Sequence, residues 1–249
     1  MLPEPTSDVP VPVRWLRLLP HWSLMTALVT LVLPIVLFGG VGQQASDRAL
    51  GAEYVELLQA ARAPGMYRAG WALDALVWLL IGGSLLALAG TLSRRAPIRA
   101  TFIAACGIAQ SVGSLGSFLR LGGIGDLGAL YATIGPDEQA VLLESYRALW
   151  RVINPHYHVG TLLQGAGFLL AAWGVFSMRG FPRWLALWLA VPGLLATVQF
   201  GLVATGAPFS LLLNSLGVIV GNVALNLAMA VALWHPPAPL VSAVAGDSA

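Results

Sequence analysis

Residues 69–92, AGWALDALVWLLIGGSLLALAGTL, carry one charged side chain, Asp74, in a run that is otherwise apolar or small. A hydrocarbon core about 30 Å thick takes roughly 20 apolar residues per helical crossing, so this stretch reads as a membrane span. Five further runs, at 22–41, 101–120, 155–177, 183–204 and 210–234, read the same way. Their unbroken length favours helices over barrel strands, which alternate apolar and polar residues. The composition agrees: 57% hydrophobic, 10% charged, mean hydropathy +0.79. The chain therefore reads as all-α, a polytopic six-helix bundle forming a single membrane domain over 1–249, since its connecting segments are too short for a separate soluble domain.

Arginines orient the bundle. Arg14 and Arg17 precede the first run, Arg94, Arg95 and Arg99 lie between the second and third, and Arg179 and Arg183 between the fourth and fifth, with no acid interrupting them. The remaining arginines share their segments with Asp47, Glu53, Glu56, Asp126, Asp137, Glu138 and Glu144. The positive-inside rule then places both termini in the cytoplasm. Short basic groups at helix ends are not a nucleic-acid footprint, and no nucleic-acid partner is expected. The first apolar run is longer than a signal-peptide core, so it reads as an uncleaved span. Cys106 is the only cysteine and forms no internal disulfide.

Two connecting segments on the outer side are amphipathic. Leu50, Tyr54, Leu57, Leu58 and Ala61 recur at helical spacing with Glu53, Glu56 and Gln59 between them. Gly135-Pro136-Asp137-Glu138 reads as a helix start, followed by a stripe of Leu142, Tyr146, Leu149 and Ile153, with Arg147 and Arg151 toward the end. Both segments are expected to lie in the interface or fold over the bundle; a lid over an outward cavity is the sharper reading. Asn154-Pro155 reads as the N-cap and first residue of the fourth span. Trp234-His235-Pro236-Pro237 ends the sixth, leaving 236–249 as a disordered tail.

Asp74 is the only acid inside any run. It should face the bundle and find a partner, with Gly70, Trp71, Trp78 and Ile81 on its side of the helix and Arg120, His158 and Arg151 as candidates. A pair that merely ties helices together is the plainer reading; a ligand-binding or proton-coupling carboxylate is the sharper one. Tyr67-x-x-Gly70-x-x-Leu73-Asp74 matches Tyr157-x-x-Gly160-x-x-Leu163-Gln164, and a similar offset carries Gln110 onto Gln199. This suggests a parallel repeat of the second and third helices with the fourth and fifth, an arrangement that places sites near mid-depth; chance likeness of apolar segments is its rival. Cys106, Gly107, Gln110, Ser114 and Ser117 share one small, polar face. In the sixth run Ser215, Asn222 and Asn226 fall on one stripe and Asn214, Gly217 and Gly221 on the next, with Gly217, Gly221, Asn222 and Asn226 suited to close helix packing.

His156 and His158 are two residues apart, whereas a helical zinc pair needs four. A haem between His21 and His235 has no other support. No metal site and no cofactor is predicted, and no phosphate loop, nucleophile elbow or HExxH motif occurs.

The order of the six spans, Tyr67-Arg68-x-Gly70-x-x-x-Asp74, the amphipathic segment before the fourth span, Gln164, and the Arg179-Gly180-Phe181-Pro182-Arg183 turn resemble the bacterial membrane family called domain of unknown function 4386, from about residue 20 to 234. The His156-Tyr157-His158 stretch departs from that pattern. The resemblance implies a six-helix protein of the bacterial inner membrane with no established activity. Three functions stay open. The leading one is a non-enzymatic bundle that binds, and in one version transports, a lipid or small hydrophobic molecule in an outward-facing pocket lined by Asp74, Gln110, Gln164, Gln199, His158 and Arg120. The second is an intramembrane enzyme using Asp74 and His158 as an acid–base pair. The third is a structural or regulatory partner, of itself or of another membrane protein, through the Gly217 and Gly221 face.

Overall fold

The structure is a computed structural model that describes residues 10–38, 52–178, 180–205 and 217–245. Its elements are α1 (Val11–Phe38), α2 (Ala52–Arg62), α3 (Pro64–Leu92), α4 (Pro97–Tyr131), α5 (Pro136–Phe176), α6 (Arg183–Ala204), α7 (Leu225–Leu233) and α8 (Ala238–Ala245). No strand occurs among the described residues. Among the described residues five helices are long and apolar enough to cross a membrane: Val11–Leu33, α3, α4, α5 and Arg183–Leu202. A sixth crossing is reached only if Gly221–Leu233 and α8, bent by 96°, count as one. The predicted sixth span, 210–234, lies partly outside the described residues, as do Leu50, Arg179, Asn214, Ser215 and the side chains of Glu53, Tyr54 and Asn154.

By its internal contacts the chain divides into two compact units. The first comprises residues 1–27, 80–109 and 162–249, the second residues 28–79 and 110–161, so the boundaries fall inside α1, α3, α4 and α5.

In the first unit small residues let large ones and backbones come close, as helix association in lipid requires. Gly83 lies under the Trp22 ring and Gly90 under the Trp15 ring. Gly165 and Gly193 meet face to face, each one's missing Cβ position 3.0 Å from the other's carbonyl oxygen. Gly221 packs on Pro192, whose Cβ would stand 2.6 Å from an added Cβ. Around these contacts Leu16, Leu19, Leu85, Leu88, Leu185 and Met229 are fully buried. Hydroxyls find acceptors in their own helices, Thr26 at Trp22 O (2.8 Å) and Thr91 at Ala87 O (2.8 Å). The His21 ring meets Trp234 edge-on, 5.0 Å between centroids.

The second unit has a core of Leu57, Ala60, Tyr67, Ile124, Tyr146 and Ile153. Tyr146 and Ile153 belong to the predicted stripe, so that face is buried. The segment carrying them is not separate, however. α5 runs unbroken from Pro136 to Phe176 with Pro155 inside it, where a break at Asn154-Pro155 is expected from the sequence. Proline lacks the N–H that would bond Arg151 O one turn back, and one residue on the His156 Nδ1 lies 3.1 Å from Val152 O. The start at Pro136 stands where the sequence puts it, with the Gly135 N–H donating to Glu138 Oε2 (3.2 Å) in capping-box fashion.

Three further expectations are corrected. α1 begins at Val11, ahead of the predicted 22, because Val13, Leu16 and Leu19 bury an apolar face that includes the turns around Arg14 and Arg17. The tail predicted as disordered from 236 folds into α8 over 238–245: Pro236-Pro237 ends one helix and opens another, and Leu240, Val244 and Ala245 are buried. In α2 the buried arc runs through Leu57 and Ala60 and draws Glu56 inward, off the solvated face the periodicity assigns to it.

α4 and α5 approach most closely at Gly113 and Gly160. A Cβ on Gly160 would sit 2.8 Å from Gly113 Cα and 3.0 Å from Gln110 O, all backbone atoms that cannot turn aside. Gly160→Ala should therefore lower stability by about 1–3 kcal/mol, the usual cost of overpacking, seen as a lower unfolding temperature in detergent. Gly65→Ala, with nothing within 4 Å of its Cβ, should be neutral or slightly stabilising. Equal effects of the two would contradict the close approach.

Candidate functional site

In the second unit four helices converge on one carboxylate. Glu56 of α2 accepts from Arg120 Nε of α4 (2.9 Å) and Tyr67 Oη of α3 (2.9 Å) at Oε1, and from Trp150 Nε1 of α5 (3.1 Å) at Oε2. The ion pair is buried, with side-chain exposures of 6% for Arg120 and 11% for Glu56. Arg120 also reaches Gly116 O (3.4 Å) and lies over the Trp71 ring, 4.7 Å from its centroid, a cation–π contact strengthened where water is excluded. Arg120 opens a π-helical turn, Arg120–Ile124, that contains Gly122 and Gly123; such bulges recur at functional sites.

Asp74 sits nearby on α3, 9% exposed. Among the described residues its Oδ2 receives two hydrogen bonds, from Ser117 Oγ (2.6 Å) and from Trp78 Nε1 one turn along its own helix (3.2 Å). Oδ1 takes neither. Arg120 acts on Asp74 electrostatically, while its close contacts go to Glu56. Gln110 begins a short 3₁₀ turn, Gln110–Val112, and its Nε2 donates to Trp78 O (2.7 Å). The Trp78 ring meets Tyr157 edge-on at 5.3 Å, and Tyr157 meets the half-buried His158 at 6.1 Å. An indole, a hydroxyl and an amide thus hold Trp78 and Asp74 in fixed positions.

Of the residues singled out in the sequence, Asp74, Gln110, Arg120 and His158 fall in this unit; Trp78, on Asp74's side of its helix by spacing, bonds to it, and Ser117 of α4 is a partner that spacing does not assign. Arg120, one of the three candidate partners of Asp74, makes its close ion pair with Glu56. Arg151 is exposed. Among the described residues no hydrogen bond joins Asp74 to His158.

Gln164 and Gln199 belong to the first unit. There Gln164 Nε2 donates to Asn222 Oδ1 (3.3 Å), and Asn226 Nδ2 donates to Asn222 O (2.8 Å) across the π turn Gly217–Ala224. Gln199 Nε2 and Asn226 Oδ1 are buried without a partner among the described residues. Gly217 lies in the same π turn, and Gly221 is occupied by Pro192 of the same chain. Among the described residues no three His, Cys, Asp or Glu side chains converge as a metal site would need.

The sequence does not mark Glu56 as the partner of Arg120, nor Tyr67 and Trp150 as the further donors to Glu56. The available signal is that Glu56 and Ala60, one turn apart, share a helix face.

The fold and this interior define a polytopic helical membrane protein with a buried Arg120–Glu56 ion pair in its second unit. Within that class, the chain belongs to the family described as Domain of unknown function (DUF4386), whose model matches residues 25–235. No curated protein and no solved structure matches it.

Removing one member of a buried pair leaves an uncompensated charge, which costs about 3–5 kcal/mol. Arg120→Met alone and Glu56→Gln alone should each destabilise by about that much. The double variant should lose clearly less than their sum, since with both charges removed no unpaired charge is left buried. A double-mutant cycle on reversible unfolding in detergent checks this; strict additivity would mean the two side chains act independently.

Proposed function

We propose that this protein is a non-enzymatic membrane bundle that binds a lipid or small hydrophobic molecule bearing a hydroxyl or amine, with Asp74 as the acceptor for that group. The observation that carries the reading is the asymmetry at Asp74: Ser117 and Trp78 both bond to Oδ2, and Oδ1 takes neither bond in the middle of an apolar helix. An intramembrane acid is costly enough that function is its default explanation. Gln110 supports the site by fixing Trp78, and Arg120 by the positive field it adds. His158 stands at the edge of the same aromatic group. Gln164 and Gln199, in the other unit, are left out of this site.

The orientation belongs to the same proposal. The acid-free arginine groups at 14–17, 94–99 and 179–183 favour both termini in the cytoplasm and, with the family resemblance, a bacterial inner membrane, which turns the Asp74 end of α3 outward. An acid–base enzyme at Asp74 and His158 has no geometric support, given where the bonds of Asp74 run. A partner contact through Gly221 is disfavoured because Pro192 already covers it.

Native mass spectrometry of protein gently extracted from its host membrane tests the reading. Wild type should carry an adduct of defined mass, and folded Asp74→Asn should lose most of it, because an amide offers a weaker acceptor than a carboxylate by about 1 kcal/mol or more. Ser117→Ala should weaken retention less. An adduct held at equal occupancy in folded Asp74→Asn would exclude Asp74 as the binding group.

A further inference from the structure

A cavity of about 1080 Å³ opens in the first unit, at the end of the helices that carries Arg94, Arg95 and Arg99. Arg95 and Arg99 line it with Ser177, Ser242, Ile98 and Met178, and no acid is among the described lining residues. Each guanidinium has five N–H donors. Arg95 spends Nε on Ala243 O (3.1 Å), and Arg99 spends Nη1 on Ser177 Oγ (3.0 Å); those are their hydrogen bonds among the described residues, so most of their donors remain unused. The Arg99 guanidinium also lies over the Trp173 ring, its Cζ 3.9 Å from the centroid, and that indole is 56% exposed. Arg99 is thereby held by an indole and one hydrogen bond, with its remaining donors available.

One wall is α8. Arg94 caps its last carbonyl, Ala245 O, and Arg95 the carbonyl of Ala243, cations placed at the negative end of a helix. Its start rests on Gly180, at φ 89, where an added Cβ would stand 2.9 Å from Leu240 Cα. The wall is therefore built into the fold at both ends. Two fixed cations without an acid, beside Ile98, Met178 and an exposed Trp, make a site that is cationic in one part and apolar in the rest.

We infer that this cavity binds a net-anionic phosphate ester, with Arg95 and Arg99 gripping the phosphate oxygens. Guanidinium forks match phosphate geometry, and basic pockets between membrane helices take anionic headgroups. The site shares no residue with the one proposed at Asp74 and stands or falls separately from it.

The test uses the full chain, delipidated in neutral detergent, with native mass spectrometry and thermal unfolding as readouts. The probes are phosphatidylglycerol, phosphatidylcholine and inorganic phosphate. Phosphatidylglycerol should bind in preference to phosphatidylcholine, and Arg95→Gln and Arg99→Gln should each weaken it about fivefold. Arg183→Gln, a basic side chain outside the cavity, should leave it unchanged. Arg95→Lys and Arg99→Lys keep the charge and should retain part of the affinity, which serves where a glutamine variant folds poorly. Stabilisation by phosphatidylglycerol but not by inorganic phosphate identifies a lipid headgroup; stabilisation by both identifies a soluble phosphate as sufficient. Equal binding of the two lipids, or an effect of Arg183→Gln as large as that of the cavity arginines, would overturn the inference. So would a loss of stability in the glutamine variants that lipid does not alter, since the arginines would then serve only the protein's own carbonyls.

Discussion

The Glu56 carboxylate is the knot of the second unit. Helices in lipid gain nothing from hiding apolar surface against one another, because the surroundings are as apolar as they are; close packing and internal polar bonds hold them instead. Glu56 supplies acceptors to one donor from each of three other helices, Tyr67, Arg120 and Trp150. A short helix of 11 residues, too short to span a membrane by itself, is thereby fixed against three long ones. The apolar contacts of Leu57 and Ala60, with Gly128 pressed on Ala60, follow from that placement.

The same bond decides the surroundings of Asp74. Held by Glu56, over the Trp71 ring and bonded to Gly116 O, the Arg120 guanidinium acts on Asp74 through its field. Asp74 is left with neutral donors on one oxygen. An acid neutralised by direct ion pairing would be a structural tie and little more. An acid held in place by a hydroxyl and an indole, within the field of a cation committed elsewhere, keeps an acceptor to offer. The first unit is built differently, from amides alone around Asn222, and its two unpartnered amide atoms, Gln199 Nε2 and Asn226 Oδ1, mark where its polar interior is least complete among the described residues.

The spans were legible in the sequence because bilayer thickness sets a length that hydropathy alone can read. The polar face of α4 and the turn-to-turn contact of Trp78 with Asp74 were legible too, since helical spacing fixes which residues meet within one helix. Continuity through Pro155 was not. A proline after asparagine signals a start in isolation, and only tertiary packing of Tyr146 and Ile153 on one side and Gly160 on the other keeps both halves in a single helix. Nor was the partner of Arg120 legible. Spacing ranks neighbours along a helix, while the choice between Asp74 and Glu56 depends on how α2 sits against α4, which no periodicity encodes.

The misreading of the last residues has a physical lesson of its own. Proline, alanine, serine and valine after a span suggest a disordered end when only local propensity is weighed. A helix of 8 residues is indeed too short to hold itself together. α8 exists because its buried Leu240 and Val244 find apolar cover, Gly180 gives its start room, and Arg94 and Arg95 take up its terminal carbonyls. Those arginines are the ones that the positive-inside rule reads as topological markers. Orientation needs only their charge. Their geometry does two further things, completing a helix that could not stand alone and leaving guanidinium edges in the cavity beside it, so the group that reads as a marker in the sequence becomes, in the fold, the frame of a site.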